Sequence, residues 1–293
     1  MRLLSYRDAM TERLGVAVGD RVLPATELLP DGPATMRALL AGGEAALATL
    51  QIAHDAGAER IRSEGTALAE MHLLAPVPRP GKVVAIGLNY HAHASEQKVA
   101  LPKAPLIFAK FPTTVIGPGE AIRWDPALTV QVDYEAELAV VIGRRARNVD
   151  VAEALDFVLG YTCANDVSAR DLQFGDGQWV RGKSLDTFCP LGPVVVTRDE
   201  IPDPGTLAIV CDVSGVRMQA STTADLIFSV AAIIAHCARA FTLEPGDVIL
   251  TGTPSGVGVF RDPPRFLHDG DEVAIEIERI GRLVNPCREG APD

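Results

Sequence analysis

The spacing of apolar positions changes along the chain and divides it in two. Within the first 75 residues, Leu14-Gly-Val-Ala-Val-Gly-Asp-Arg-Val-Leu23 predicts two short strands around a Gly-Asp turn. Helical spacing follows near Ala34–Ala56 and Ile61–Met71, with Gly57 between them as a natural stop. Pro76-Val-Pro-Arg-Pro80-Gly81 then reads as a linker, because repeated prolines remove backbone donors and block both helix and central strand. The pattern predicts a small N-terminal domain over residues 1–75 and a larger one over 76–293.

In the larger part, short apolar runs of strand length recur: Val83–Ile86, Leu106–Phe108, Val194–Val196, Leu207–Val213, Val248–Leu250 and Val273–Ile277. Val130–Ile142 predicts one long strand, alternating in its first half and apolar on both faces after Leu138. One helix is marked by Thr222-x-x-Asp225, a capping-box pattern, followed by an apolar stripe from Leu226 to Phe241. His236 lies off that stripe and reads as a structural or solvent-facing side chain. Strands outnumber helices and the connections are rich in Gly and Pro. An α+β fold with a mixed β-roll or barrel is therefore expected, rather than a doubly wound sheet.

Composition removes several function classes. A net charge of −11 disfavours nucleic acid and anionic membrane partners, which need clustered Lys and Arg. The stretch Leu226–Ala235 is far short of the ~20 apolar residues that span a bilayer. The cysteines (Cys163, Cys189, Cys211, Cys237, Cys287) are widely spaced with no C-x-x-C pair, so reduced thiols are expected. With no secretory apolar run at the N-terminus, the expectation is a cytoplasmic protein.

The chemistry concentrates in a few stretches. Glu135 and Glu137, two apart on a strand, point to one face together with Asp133. Carboxylates so placed repel one another unless something positive neutralises them. The pattern is either a solvated acidic edge or a cation site, and carboxylate-only ligation selects Mg²⁺, Mn²⁺ or Ca²⁺ over zinc. Asp166, Arg170 and Gln173 share a face if a helix or turn begins at Asp166, though an Asp there is equally an N-cap. His93 and Glu96 are three apart, so one helical turn lets the carboxylate orient the imidazole as a general base; a plain surface turn fits as well. Lys183 is a cation among apolar and Gly/Pro neighbours, and the glycines after Thr251 offer backbone N–H groups to an anion.

Taken in order, GLNYHAHASE, DYEAELAVVIG, ANDVSARDLQ, RGKSLD and TGTPSGVG resemble the fumarylacetoacetate hydrolase family from about Lys82 to Arg288. The resemblance implies a mixed β-roll built around a metal, assembled as a homodimer. It implies Glu135, Glu137 and Asp166 as ligands of Mg²⁺ or Mn²⁺, with Ca²⁺ as a substitute in crystals. It implies a His93–Glu96 dyad on a substrate-ordered lid, Lys183 as a catalytic cation, and Arg170, Gln173, Lys183 and Thr253 as substrate contacts. The animal fumarylacetoacetate hydrolases carry a further Asp before the catalytic His, where this chain has Gly-Leu-Asn-Tyr, so the shorter acylpyruvate-hydrolase-like branch is the better match. The implied substrate is a small 2-oxo acid. The expected reaction is hydrolysis of a C–C bond in a 2,4-dioxo acid through an enolate. Isomerisation of a 2-hydroxy-diene dioate and decarboxylation of oxaloacetate are the alternatives on the same site. An inert metal-binding homologue is the alternative of another class.

Overall fold

The computed structural model describes residues 1–290. Its centre is a 12-stranded sheet that runs Cys189–Thr197, Val158–Asn165, Ala136–Ile142, Val248–Leu250, Val83–Gly87 and, at its edge, Leu106–Lys110. The leading strands Arg2–Asp8, Thr11–Val18 and Arg21–Pro24 extend the same sheet, because Arg2–Asp8 pairs with Cys189–Thr197. A second, five-stranded sheet runs Val216–Thr222, Ala208–Val213, Glu272–Ile277, Gly281–Glu289 and Ile122–Trp124. The order has free ends, so the expected mixed α+β roll is present as an open structure rather than a closed barrel.

Strand Ala136–Ile142 shows how sequence places the core. Ala136, Leu138, Val140 and Ile142 pack with Ile209 and Ile275 of the second sheet. Ala139 and Val141 point the other way, toward Met36 and Leu39 at the start of the helical stretch Met36–Glu64. Period-two alternation of apolar residues on both faces thus builds a layer of helix, sheet and sheet. Glu137 shares the parity of Ala139 and Val141, so an acid is carried directly into a buried layer.

Three local expectations change. Residues Met36–Glu64 form two helical segments joined at non-helical Gly43, and the second runs through Gly57. A side chain at Gly57 would meet Leu28 Cδ2 at 2.7 Å, so this glycine permits close packing rather than ending the helix. The run 130–142 is not one strand: Val132–Asp133 pairs with Ser168–Ala169, and the ladder resumes at Ala136. Asp133 Oδ1 accepts its neighbour's N–H (Tyr134, 2.8 Å) and Asn165 Oδ1 accepts that of Glu135 (3.0 Å), so side chains take donors the ladder would have used. Thr222 caps only the 3-10 turn Thr223–Asp225, while Ser229 caps the helix Val230–Ala240. Between them Phe228 is tied to Asn89 in both directions, which holds the intervening chain extended. Among the described residues no helix is long and apolar enough to cross a membrane. All five cysteines are buried and unpaired.

Candidate active site

Sheet ends and the two short helices after them converge on one narrow cleft of about 50 Å³. It is lined by His93, Glu135, Glu137, Arg170, Gln173, Lys183 and Thr253, all singled out from the sequence. Asp166 and Glu96 stand one layer behind, each gripping a lining residue.

The carboxylates come first. Glu135, Glu137 and Asp166 are all buried, and each offers an oxygen within 4.8 Å of the others'. Lys183 Nζ bridges Glu135 Oε2 and Asp166 Oδ2, at 2.8 Å from each. Helix Arg170–Asp176 and the turn Val180–Lys183 bring that lysine in, and they can touch only because Gly182 lacks a side chain. A Cβ there would lie 2.6 Å from Gln173 N and 2.8 Å from Ala169 O. Arg170 binds Asp133 Oδ2 at 2.8 Å through Nε and Glu135 Oε1 at 2.7 Å through Nη1. Its Nη1 also donates to Gln173 Oε1 at 2.9 Å. Its Nη2 is buried without a partner among the described residues.

The charges are unevenly balanced. Burial alone would raise the Glu135 carboxyl, but Lys183 and Arg170 outweigh it and hold that group at about 2. Burial, then the Asp166 and Glu135 carboxylates, push Glu137 well above the ordinary carboxylate range. Among the described residues its Oε2 accepts only the Gly252 N–H, at 2.6 Å. Burial disfavours the Lys183 ammonium, yet Asp166 and Glu135 carry its pKa above the usual lysine value. Three clustered carboxylates, one of them in no ion pair among the described residues, fit a hard dication with oxygen ligands. Glu137 must lose its proton to ligate, so divalent affinity is expected to climb about tenfold per pH unit until that carboxyl ionises unaided, then to flatten. Because the folded value is the raised one, the metal-free protein should meanwhile lose stability as pH rises through it. Calorimetric titrations with Mn²⁺ in buffers of different ionisation heat would count the released proton, and a flat profile would contradict this.

The dyad sits on helix His91–Glu96, whose Ala92 N–H is held by Asp225 Oδ2 at 3.0 Å. His93 Nδ1 lies 2.9 Å from Glu96 Oε2, and Gly256 N–H fixes the other carboxylate oxygen at 2.9 Å. The glycines after Thr251 do hold anions, but the anions are the protein's own. Gly252 takes Glu137, Gly256 takes Glu96, and Gly258 takes Asp133 (2.7 Å). Asp133 is therefore wholly buried beneath Arg170, neither a surface group nor a member of the carboxylate triad. Thr253 Oγ1 accepts from Gln219, whose carbonyl takes the Ala136 N–H, so the loop is also pinned to the central strand.

Two residues were missed. Lys110, wholly buried at the end of an apolar strand, donates to Asp166 Oδ1 at 2.6 Å and to the carbonyls of Val167 and Lys183. The only signal was a lone cation closing an apolar run. Gln97 reaches His93 Nε2 at 2.7 Å, and its position beside Glu96 was the only hint.

The family model described as fumarylacetoacetate (FAA) hydrolase C-terminal matches residues 82–288. The chain belongs to the fumarylacetoacetate hydrolase family. Within it, this chain is 45% identical over 292 residues to oxaloacetate tautomerase fahd2, mitochondrial, of Xenopus laevis, covering 98% of this chain and 90% of that protein. It is 44% identical to oxaloacetate tautomerase Fahd2a, mitochondrial, of Rattus norvegicus, covering 97% and 91%. Maleylpyruvate hydrolase from Sphingobium sp. SYK-6, solved with manganese(II) and pyruvate, superposes with a TM-score of 0.81 at 32% identity, covering 99% of this chain and 100% of that one. The expected cytoplasmic location is corrected by these findings, since both tautomerases are named mitochondrial. Buried thiols and a charged N-terminus occur in proteins of more than one compartment, so neither feature discriminated.

Proposed function

We propose that the protein is a divalent-metal-dependent tautomerase of a 2-oxo dicarboxylate of the oxaloacetate class, interconverting its enol and keto forms. The observation that carries the site chemistry is the unpartnered Arg170 Nη2, a buried guanidinium donor in the same cleft as the carboxylate triad and the His93–Glu96 dyad. A buried donor without a partner is costly, and a substrate carboxylate oxygen supplies a charged acceptor for that one free nitrogen. Identity with two oxaloacetate tautomerases over nearly the whole chain favours this reaction over the C–C hydrolysis expected from the motifs.

Glu135, Glu137 and Asp166 would hold Mg²⁺ or Mn²⁺, which when bound supplies Lewis-acid polarisation of the 2-oxo group. Arg170, with Gln173 beside it, binds and orients the substrate carboxylate. His93 Nε2 exchanges a proton with carbon 3, while Glu96 fixes the ring and steadies the imidazolium that forms. Lys183 supplies fixed positive charge where the enolate oxygen develops. Phe108, Trp179 and Phe260 line the rest of the cleft and exclude bulk water.

Ketonisation of enol-oxaloacetate, followed by loss of enol absorbance with Mg²⁺ or Mn²⁺, tests the reading. Divalent-dependent acceleration is expected, with His93→Ala lowering kcat about 10²–10⁴-fold, the usual share of a general base. No acceleration over buffered metal alone would refute it. A second reading, hydrolysis of an acylpyruvate, is favoured by the same dyad geometry and by likeness to a maleylpyruvate hydrolase. Acetylpyruvate in the same assay distinguishes the two.

A further inference from the structure

We infer that Gln97 is the specificity-determining residue that commits this site to proton transfer and denies it to hydrolysis, by occupying the nitrogen of His93 that a water would use. The inference rests on the tautomerase reading and deepens it.

The hydrogen-bond directions follow from the partners. Glu96 Oε2, 2.9 Å from His93 Nδ1, can only accept while ionised, so Nδ1 carries the ring proton. The neutral imidazole then has its lone pair on Nε2. That atom lies 2.7 Å from Gln97 Nε2, whose amide N–H is the only group of the pair able to donate. The resting base is therefore tied at both nitrogens. Gln97 follows directly on the helix His91–Glu96 and lines the cleft itself, while the Phe260 ring, 6.0 Å from the imidazole centroid, covers another side.

Hydrolysis needs a water at this spot. The water would give a proton to Nε2 as its oxygen bonds to the distal carbonyl carbon. The C–C bond would then break, its electron pair passing to the enolate of the 2-oxo acid, and a carboxylic acid would leave. Tautomerisation needs no third reactant: a proton leaves carbon 3 for Nε2, the C–H electron pair becomes the enolate, and the imidazolium gives that proton to the enolate oxygen. A 2-oxo dicarboxylate anchored at Arg170 can displace the amide with binding energy gained away from the reacting carbon. A single water has no such anchor and meets an occupied lone pair. Once the imidazolium exists, the amide can turn its oxygen toward Nε2–H, so one side chain suits both states of the ring.

The test compares wild type, Gln97→Ala and Gln97→Asn, the last keeping the amide but one methylene too short to reach. Each is assayed with enol-oxaloacetate and with acetylpyruvate under Mn²⁺, and thermal scans verify folding. Both variants are expected to raise the ratio of acetylpyruvate hydrolysis to tautomerisation at least tenfold. In the metal-free protein, the His93 Nε2 nitrogen resonance should also shift on substitution and become coupled to solvent water. A ratio within twofold of wild type in the folded variants, or an unmoved resonance, overturns the inference. Failure of wild type to tautomerise at all overturns the functional reading instead. Efficient acetylpyruvate hydrolysis by wild type, with Gln97 in place, overturns the inference alone.

Discussion

Asp166→Asn is expected to lower the stability of the metal-free protein by about 3–5 kcal/mol, the cost of breaking a buried ion pair from one side. Asp166 is wholly buried and takes Lys110 on one oxygen and Lys183 on the other. An asparagine can keep one of these contacts through its carbonyl, but its NH₂ then confronts the other ammonium. Lys183 retains Glu135, whereas Lys110 is left with backbone carbonyls alone. Divalent-dependent turnover should disappear with the triad. Urea unfolding in the presence of a chelator checks the first claim; a loss below about 1 kcal/mol, a typical surface-pair value, would mean the two lysines are not held as described.

Glu137→Gln should leave the metal-free protein largely unaffected. Among the described residues Glu137 is paired with no cation, and burial with two facing carboxylates already disfavours its charged form, so a neutral amide can replace it at little cost. The amide oxygen can still accept the Gly252 N–H. Stability without metal is expected to stay within about 1 kcal/mol of the wild type, the spread of a substitution that removes no paired charge. What vanishes is the stabilisation that a divalent ion confers on the wild type, about 2.7 kcal/mol at one hundred times Kd. Unfolding curves with and without Mn²⁺ separate the two effects. A variant still stabilised by Mn²⁺, or one strongly destabilised without it, would count against Glu137 as a ligand.

The contrast between these neighbours explains how much of the site was legible in the sequence. The carboxylates and cations could be read because short-range spacing and strand parity place them: Glu135-x-Glu137, His93-x-x-Glu96 and Arg170-x-x-Gln173 each owe their geometry to residues close in the chain. Which acid receives which cation could not be read. Lys110 meets Asp166 across 56 positions and Lys183 meets Glu135 across 48, pairings set by sheet order rather than spacing. The same limit governs the fold. Individual strands followed from apolar runs, but the break at Tyr134 depends on Asn165, which arrives from the neighbouring strand. Gly57 read as a stop because a glycine's effect depends on what lies against it, here Leu28 from an earlier turn.

The loop from Thr251 to Gly258 joins groups that the chemistry keeps separate. One short stretch of main chain holds Glu96 beside His93, Glu137 of the carboxylate triad and Asp133 beneath Arg170. These groups therefore share one mechanical datum, and a displacement of that chain moves all three together. A lineage changing its substrate is freer to vary the cleft's aromatic wall, where one side chain can change without disturbing the others. Innovation in this architecture should accumulate on the wall facing the loop, with the loop itself serving as the fixed reference.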